Sequence, residues 1–232
     1  YDPSFPFLRP AATTDGPPAA QAKARFAEDR LLDALLWCEI APGAVVTEAD
    51  AMERFGLTRA AARAGLTRLG YDGWAMPQPR TGWLVLPITG ALIGHVLDAR
   101  RIAESALGDV KLTADARAEL IQIDNMLQPL KDRAEAGALS SFNAYMDRVD
   151  GVLLGAMNPF TARHLRKLWH HTARMTRFLQ DPAQGRIYRR SDAAGLIKAA
   201  LAEDGPAICD SRVTLIEEQQ AFFLKQLLKL VK

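Results

Sequence analysis

The chain is poor in the residues from which metal centres and disulfide frameworks are built: two cysteines and four histidines in 232 residues. Cys38 and Cys209 are far apart and form no metal-type spacing, which fits reduced thiols acting as small hydrophobes in a cytoplasmic setting. No run of about 18 apolar residues occurs, so no membrane-spanning helix is expected. Residues 1–20 lack a basic start followed by an apolar core and do not read as a signal peptide. Charge of one sign is missing too. The formal net charge is +2, and residues 1–90 hold nine Lys/Arg against ten Asp/Glu. Bulk charge therefore does not announce a nucleic-acid binder, and any such reading rests on local placement. A nucleophile elbow, a Ser-His-Asp order, a paired-carboxylate motif and a phosphate-binding glycine loop are all absent, so an enzyme is not expected. There is no internal repeat.

What is present is an ordered succession of short elements. Residues 1–22, with Pro3, Pro6, Pro10, Pro17 and Pro18, read as a loose arm. Phe26, Leu32, Leu35, Leu36 and Ile40 recur at helical spacing over residues 23–40, and Pro42-Gly43 is expected to stop that helix. Val45-Val46 is a short extended piece. Thr47 caps a second helix over 48–54, with Asp50 three residues on as in a capping box and Ala51, Met52 and Phe55 as its apolar positions. Gly56-Leu57 makes a turn and Thr58 caps a third helix. That helix sets Ala62, Leu66 and Leu69 on one face and Arg59, Arg63 and Arg68 on others, with no acid among residues 55–69. A small-residue back and an arginine front suit a reader of the DNA major groove. Helix, turn and helix in this order match the helix-turn-helix pattern.

After Gly70 and the Asp72-Gly73 turn, Trp74-Ala75-Met76 and residues 82–86 read as two strands around a polar loop carrying Arg80, a β-hairpin wing that would bring a cation to the phosphate backbone or minor groove. Residues 87–89 are the expected hinge. Helices are then expected at 91–107, at 114–130, from a Ser140-Ser141 cap to about 157, at 160–179, from a Ser191 or Asp192 cap over 193–203, and at 207–230. The fold class expected is mainly α: an N-terminal winged helix-turn-helix over 23–88 and an all-helical bundle over 89–232.

Residues 26–85 resemble the winged helix-turn-helix of the GntR family of bacterial transcriptional regulators. The resemblance is carried by Pro42-Gly43, Glu48, Gly56-Leu57-Thr58-Arg59-Ala60-Ala61-Ala62-Arg63-Ala64-Gly65-Leu66, Leu69, Gly73 and Gly82. Ala61 stands where the family pattern has Pro, and Gly65 where it has Ala. Gly65 costs about 1 kcal/mol of helix propensity and permits close approach of another backbone. The remainder resembles the FadR-type (FCD) effector domain through Arg100 with Glu104, the Asn158-Pro159 break and residues 199–204. The resemblance implies a homodimer that binds a double-stranded DNA operator, with Thr47, Thr58, Arg59, Arg63, Thr67, Arg68, Arg80 and Gly82 at the DNA. It also implies a small-molecule effector held in the helical domain. Arg100, Tyr145, His170 and Arg174 are the effector-binding candidates, and Arg100 and Arg174 are the two chosen for a carboxylate, because a guanidinium fork matches that geometry; Arg100 can equally pair with Glu104 one turn on. Many such domains hold a metal through one Asp and three His. The corresponding positions here are Tyr145, Val149, Ala193 and Leu215, so the resemblance implies a lost metal site and no cofactor. Alternative readings are an acyl-CoA-responsive regulator and a winged-helix protein-interaction module that does not read DNA.

Overall fold

The computed structural model describes residues 19–191 and 193–230, so most of the proline-rich arm and the Asp192 cap lie outside the described residues. The chain divides into two compact units. One gathers the residues up to Thr89 together with Ala173–Phe178, and the other gathers Gly90–Thr172 and Leu179–Lys232.

In the first unit, helix α1 (Ala19–Leu36) starts and ends earlier than the hydrophobic spacing predicts. Its stop is Cys38, not Pro42-Gly43. Cys38 takes a left-handed conformation (φ 58°), and the Ile40 amide returns to the Ala34 carbonyl at 3.1 Å. That reversal brings Ile40 into the core, where it is 2% exposed. Strand β1 (Val45–Val46) leads to helix α2 (Glu48–Phe55). The capping box is complete: Thr47 Oγ1 accepts from the Asp50 amide at 3.1 Å, and Asp50 Oδ2 accepts from the Thr47 amide at 2.8 Å. Of the three apolar positions assigned to α2, only Ala51 is buried, and Met52 is exposed. Gly56, left-handed at φ 63°, ends the helix. Thr58 then caps α3 (Arg59–Tyr71), its hydroxyl accepting from the Ala61 amide at 3.3 Å.

Ala62, Leu66 and Leu69 form the buried back of α3. Gly65 lies against α1: a Cβ there would sit 2.7 Å from Leu31 Cδ1 and 3.3 Å from the Ala27 backbone. The lost helix propensity is exchanged for close backbone approach. Strands β2 (Ala75–Gln78) and β3 (Gly82–Val85) follow, in a three-stranded antiparallel sheet of order β1-β3-β2. Pro77, assigned to the loop from sequence, is inside β2 opposite Trp83. Its missing N–H is tolerated because β2 is an edge strand.

The second unit is helical: α4 (Gly90–Glu104), α5 (Ala114–Leu127), α6 (Ala136–Gly155), α7 (Pro159–Leu179, of which Ala173–Phe178 belongs to the first unit), α8 (Ala193–Ala202) and α9 (Gly205–Leu230). Short 3-10 turns follow α4 and α5. Side-chain oxygens start three of the helices. Thr113 accepts from the Ala116 amide, Asn158 from the Phe160 amide and Asp204 from the Ala207 amide, at 3.0–3.2 Å. Ser140 and Ser141 are not caps; they lie inside α6, which begins at Ala136. Ser191 donates its hydroxyl to Glu218 at 2.5 Å. The core is built on Leu107, Leu120, Val149, Leu153, Leu165 and Ile208, each fully buried.

Two faces depart from the spacing expected of them. On α4 the buried positions are Ile93, Val96, Leu97, Arg100 and Glu104. On α9, Arg212, Gln219 and Gln226, seven residues apart, are buried among Ile208, Leu215, Ile216 and Phe223. Both helices turn polar groups inward, and for Arg100, Glu104, Arg212 and Gln219 the reason is a shared cluster of buried charges.

Candidate nucleic-acid interface and buried charge cluster

Helix α3 carries its arginines outward. The side chains of Arg59 and Arg63 are 76% and 64% exposed. They are held by an acid from the neighbouring helix. Glu48, the first residue of α2, accepts from Arg63 Nε at 2.7 Å and from Arg63 NH2 at 3.2 Å, and its Oε2 lies 3.4 Å from Arg59 Nε. The hydrogen bonds from Arg63 hold the Glu48 carboxyl below its usual range. Arg68 is separate: it pairs with Asp72 at 2.9 Å across one turn. The sequence showed no acid within α3; both acids come from outside it.

The other residues expected at DNA divide by role. Thr58 uses its oxygen as the α3 cap and keeps its hydroxyl proton for another acceptor. Thr47 is committed on both counts, accepting from the Asp50 amide and donating to Asp50 Oδ2 at 2.8 Å. Thr67 is half-buried on α3. Arg80 stands exposed at the tip of the β2–β3 turn in a left-handed conformation, φ 68°. Gly82 opens β3 at φ 128°, where a Cβ would lie 2.6 Å from the Val46 carbonyl oxygen. It shapes the wing through its backbone.

Among the described residues the second unit buries five charged side chains in one network. Arg100 donates to Glu104 Oε1 at 2.5 Å, and also to Gln219 and to Thr172 Oγ1. Arg212 bridges the two acids, donating to Glu104 Oε2 at 2.5 Å and to Asp150 Oδ1 at 2.8 Å. Arg190 grips Asp150 with two bonds, 2.8 and 3.0 Å. The Trp169 indole donates to Glu104 Oε1 at 2.7 Å, and the Arg212 guanidinium lies 4.8 Å from the centre of that ring. Burial works against ionising Glu104 and Asp150, yet the guanidiniums of Arg212, Arg100 and Arg190 outweigh it and hold both carboxyls below their ordinary range. Among the described residues three buried cations face two buried anions, and Asp147, 3.4 Å from Arg190 and largely exposed, approaches from the rim. The Tyr188 hydroxyl and Arg190 Nε are buried with no hydrogen-bond partner among the described residues.

No family model and no curated protein matches the chain. Solved structures do. It is similar to McbR/YncC of E. coli at 19% identity and TM-score 0.69, over 88% of this chain and 98% of that one. It is likewise similar to a putative transcriptional regulator GntR from Rhodococcus sp. RHA1, at 17% identity and TM-score 0.64, over the same shares of the two chains. The fold is that of a GntR-family transcriptional regulator.

Within this GntR-type fold the four effector candidates are divided between the units: Arg174 belongs to the first, and Arg100, Tyr145 and His170 to the second. Arg174 lies in the stretch of α7 that belongs to the first unit, where it is buried and donates to the Leu86 carbonyl at 2.6 Å. Arg100 is committed to Glu104, Thr172 and Gln219. Tyr145 is partly buried against the helical core, and His170 is half-buried on α7. None of the four lines the shallow groove of about 620 Å³ beside Glu119, Asp147 and Arg148. Sequence reasoning missed Asp150, Arg190 and Arg212 as partners. Charged residues on α6 and α9 are assigned outward by default, and the only legible signal was Arg100 with Glu104 at one-turn spacing. Among the described residues, no group of three or more His, Cys, Asp and Glu side chains gathers as metal ligands would. Of the positions that correspond to the family's ligands, Val149 and Leu215 are buried apolar residues, and the side chain of Ala193 lies outside the described residues. No helix among the described residues is long and apolar enough to cross a membrane.

Proposed function

We propose that this chain is a ligand-responsive transcriptional regulator that binds a pseudo-palindromic DNA operator as a homodimer, one winged helix per half-site. The observation that supports the reading is the exposed Arg59–Arg63 pair on a helix whose back is sealed by Ala62, Leu66 and Leu69, with Arg80 at the tip of the following hairpin. The test is enrichment of duplexes from a random-sequence library, followed by a gel shift on the enriched duplex. Bidentate base contacts contribute about 1–3 kcal/mol each, so Arg59→Ala/Arg63→Ala is expected to weaken binding by about a hundredfold or more. A double variant that binds like the wild type would sink the reader-helix assignment.

The helical unit is proposed to sense a small anion, a carboxylate being the simplest, at the charge cluster, which contains Arg100 of the four residues first chosen. Support comes from the excess of one cation among its described buried groups and from the buried Tyr188 hydroxyl and Arg190 Nε, which lack partners among the described residues. The ligand acts only through its differential affinity for two states of the protein. We also propose that this unit works without a resident metal, because Glu104 and Asp150 are already neutralised by guanidiniums. Elemental analysis of the purified protein should find no stoichiometric zinc, nickel or manganese, and about one ion per chain would overturn that part of the reading.

A further inference from the structure

Glu48 lies outside the helix that carries the arginines, yet it is the group that holds them. It sits on the first turn of α2, whose start is fixed by the Thr47–Asp50 capping box, where the N-terminal helix dipole favours a carboxylate. Its side chain is only 28% exposed, although both of its partners project into solvent. The geometry is asymmetric. Arg63 is gripped along its side edge, Nε and NH2, and Arg59 by Nε alone. That leaves Arg63 NH1 and both terminal amino groups of Arg59 without a protein hydrogen bond among the described residues. A guanidinium held by its side edge keeps an end-on pair of donors for a guanine edge.

We propose that Glu48 is a specificity-determining positioning residue of the reader helix; this rests on the DNA-binding reading above. The carboxylate does two things at once. It restricts the rotamers of two long side chains, so that fewer conformations are lost when they meet base edges. It also cancels one of their two charges, which weakens attraction to any phosphate regardless of sequence. Direction is gained and indiscriminate attraction is reduced. Glu48 needs no contact with DNA to do this.

The test compares wild type, Glu48→Gln and the triple variant Glu48→Gln/Arg59→Ala/Arg63→Ala. The probes are the duplex enriched by the wild type and a scrambled duplex of the same composition, titrated by anisotropy over a salt series. Glutamine keeps the length and leaves the capping box intact. The expected result for Glu48→Gln is tighter binding to the scrambled duplex, unchanged or weaker binding to the enriched one, and about a tenfold lower ratio between them. Two freed arginines also steepen the salt dependence on the scrambled duplex by roughly one to two phosphates' worth. The triple variant should lose that added slope. Equal loss on both duplexes with no change in slope would reduce Glu48 to a structural residue and overturn the proposal, as would no change on either. If the wild type enriches no duplex and binds neither probe, the DNA-binding reading fails and this proposal falls with it.

Discussion

The two units use the same chemistry, arginine paired with a carboxylate, in opposite surroundings. In the first unit Arg59 and Arg63 share Glu48 in contact with water. In the second, Arg100, Arg190 and Arg212 share Glu104 and Asp150 with almost no access to water. In water the pair adds little to stability, is screened by salt and is readily exchanged for another anion. Away from water each partner depends on the other, because a buried charge left alone is far less tolerable than a pair. The exposed cluster is therefore suited to meeting a macromolecular partner, and the buried one to holding helices in register around the small anion proposed for it.

The comparison breaks most easily at Arg212, the residue that bridges both buried acids. Arg212→Met removes one partner from each, and a loss of about 3–5 kcal/mol is expected. Hydrogen exchange in urea should show that loss in the amides of the helical unit. A loss below about 1 kcal/mol would mean that water reaches the cluster. The next effect is pH dependence. Glu104 and Asp150 have depressed pKa values in the folded chain. Their contribution is therefore fully present above the unfolded carboxylate range, about pH 4, and is lost as the pH falls through their lower folded values. The wild-type unit should hold its urea midpoint from pH 7 to 5 and lose it on further acidification. In Arg212→Met each carboxylate keeps one guanidinium, Arg100 on Glu104 and Arg190 on Asp150, so the depression is smaller and the midpoint should begin to fall at a higher pH than in the wild type. A variant whose acid loss sets in at the same pH as the wild type would contradict the bridging role. The smallest stability effect belongs to Glu48→Gln, whose urea midpoint should match the wild type while DNA discrimination changes. A lowered midpoint would show that the exposed pair is structural after all.

The first unit was legible in the sequence where local rules decide. Thr47 with Asp50, Gly56, Thr58 and the Ala62–Leu66–Leu69 face each act over one or two turns. The reversal at Cys38 was not legible, because a left-handed cysteine is imposed by the return of Ile40 to the core and no glycine or proline marks it. The second unit gave its helix order but not its interior. Burying Arg212, Gln219 and Gln226 on one face of α9 contradicts apolar periodicity; Arg212 is made favourable there by Glu104 and Asp150, and Gln219 by Arg100, all arriving from other helices. The same non-locality hid Glu48: its partners are eleven and fifteen residues away, on a helix that looked free of acids.

One residue at the cluster has a use of its own. Of the four tryptophans, Trp37, Trp74 and Trp83 belong to the first unit, and Trp169 is the sole one in the second. Its indole N–H donates to Glu104 while Arg212 lies over its ring. Light absorbed by an indole moves electron density across the ring, so the colour it emits depends on the charges beside it. With the other three replaced by phenylalanine, Trp169 becomes an optical gauge of the electric field inside the helical unit, readable in solution without any added label.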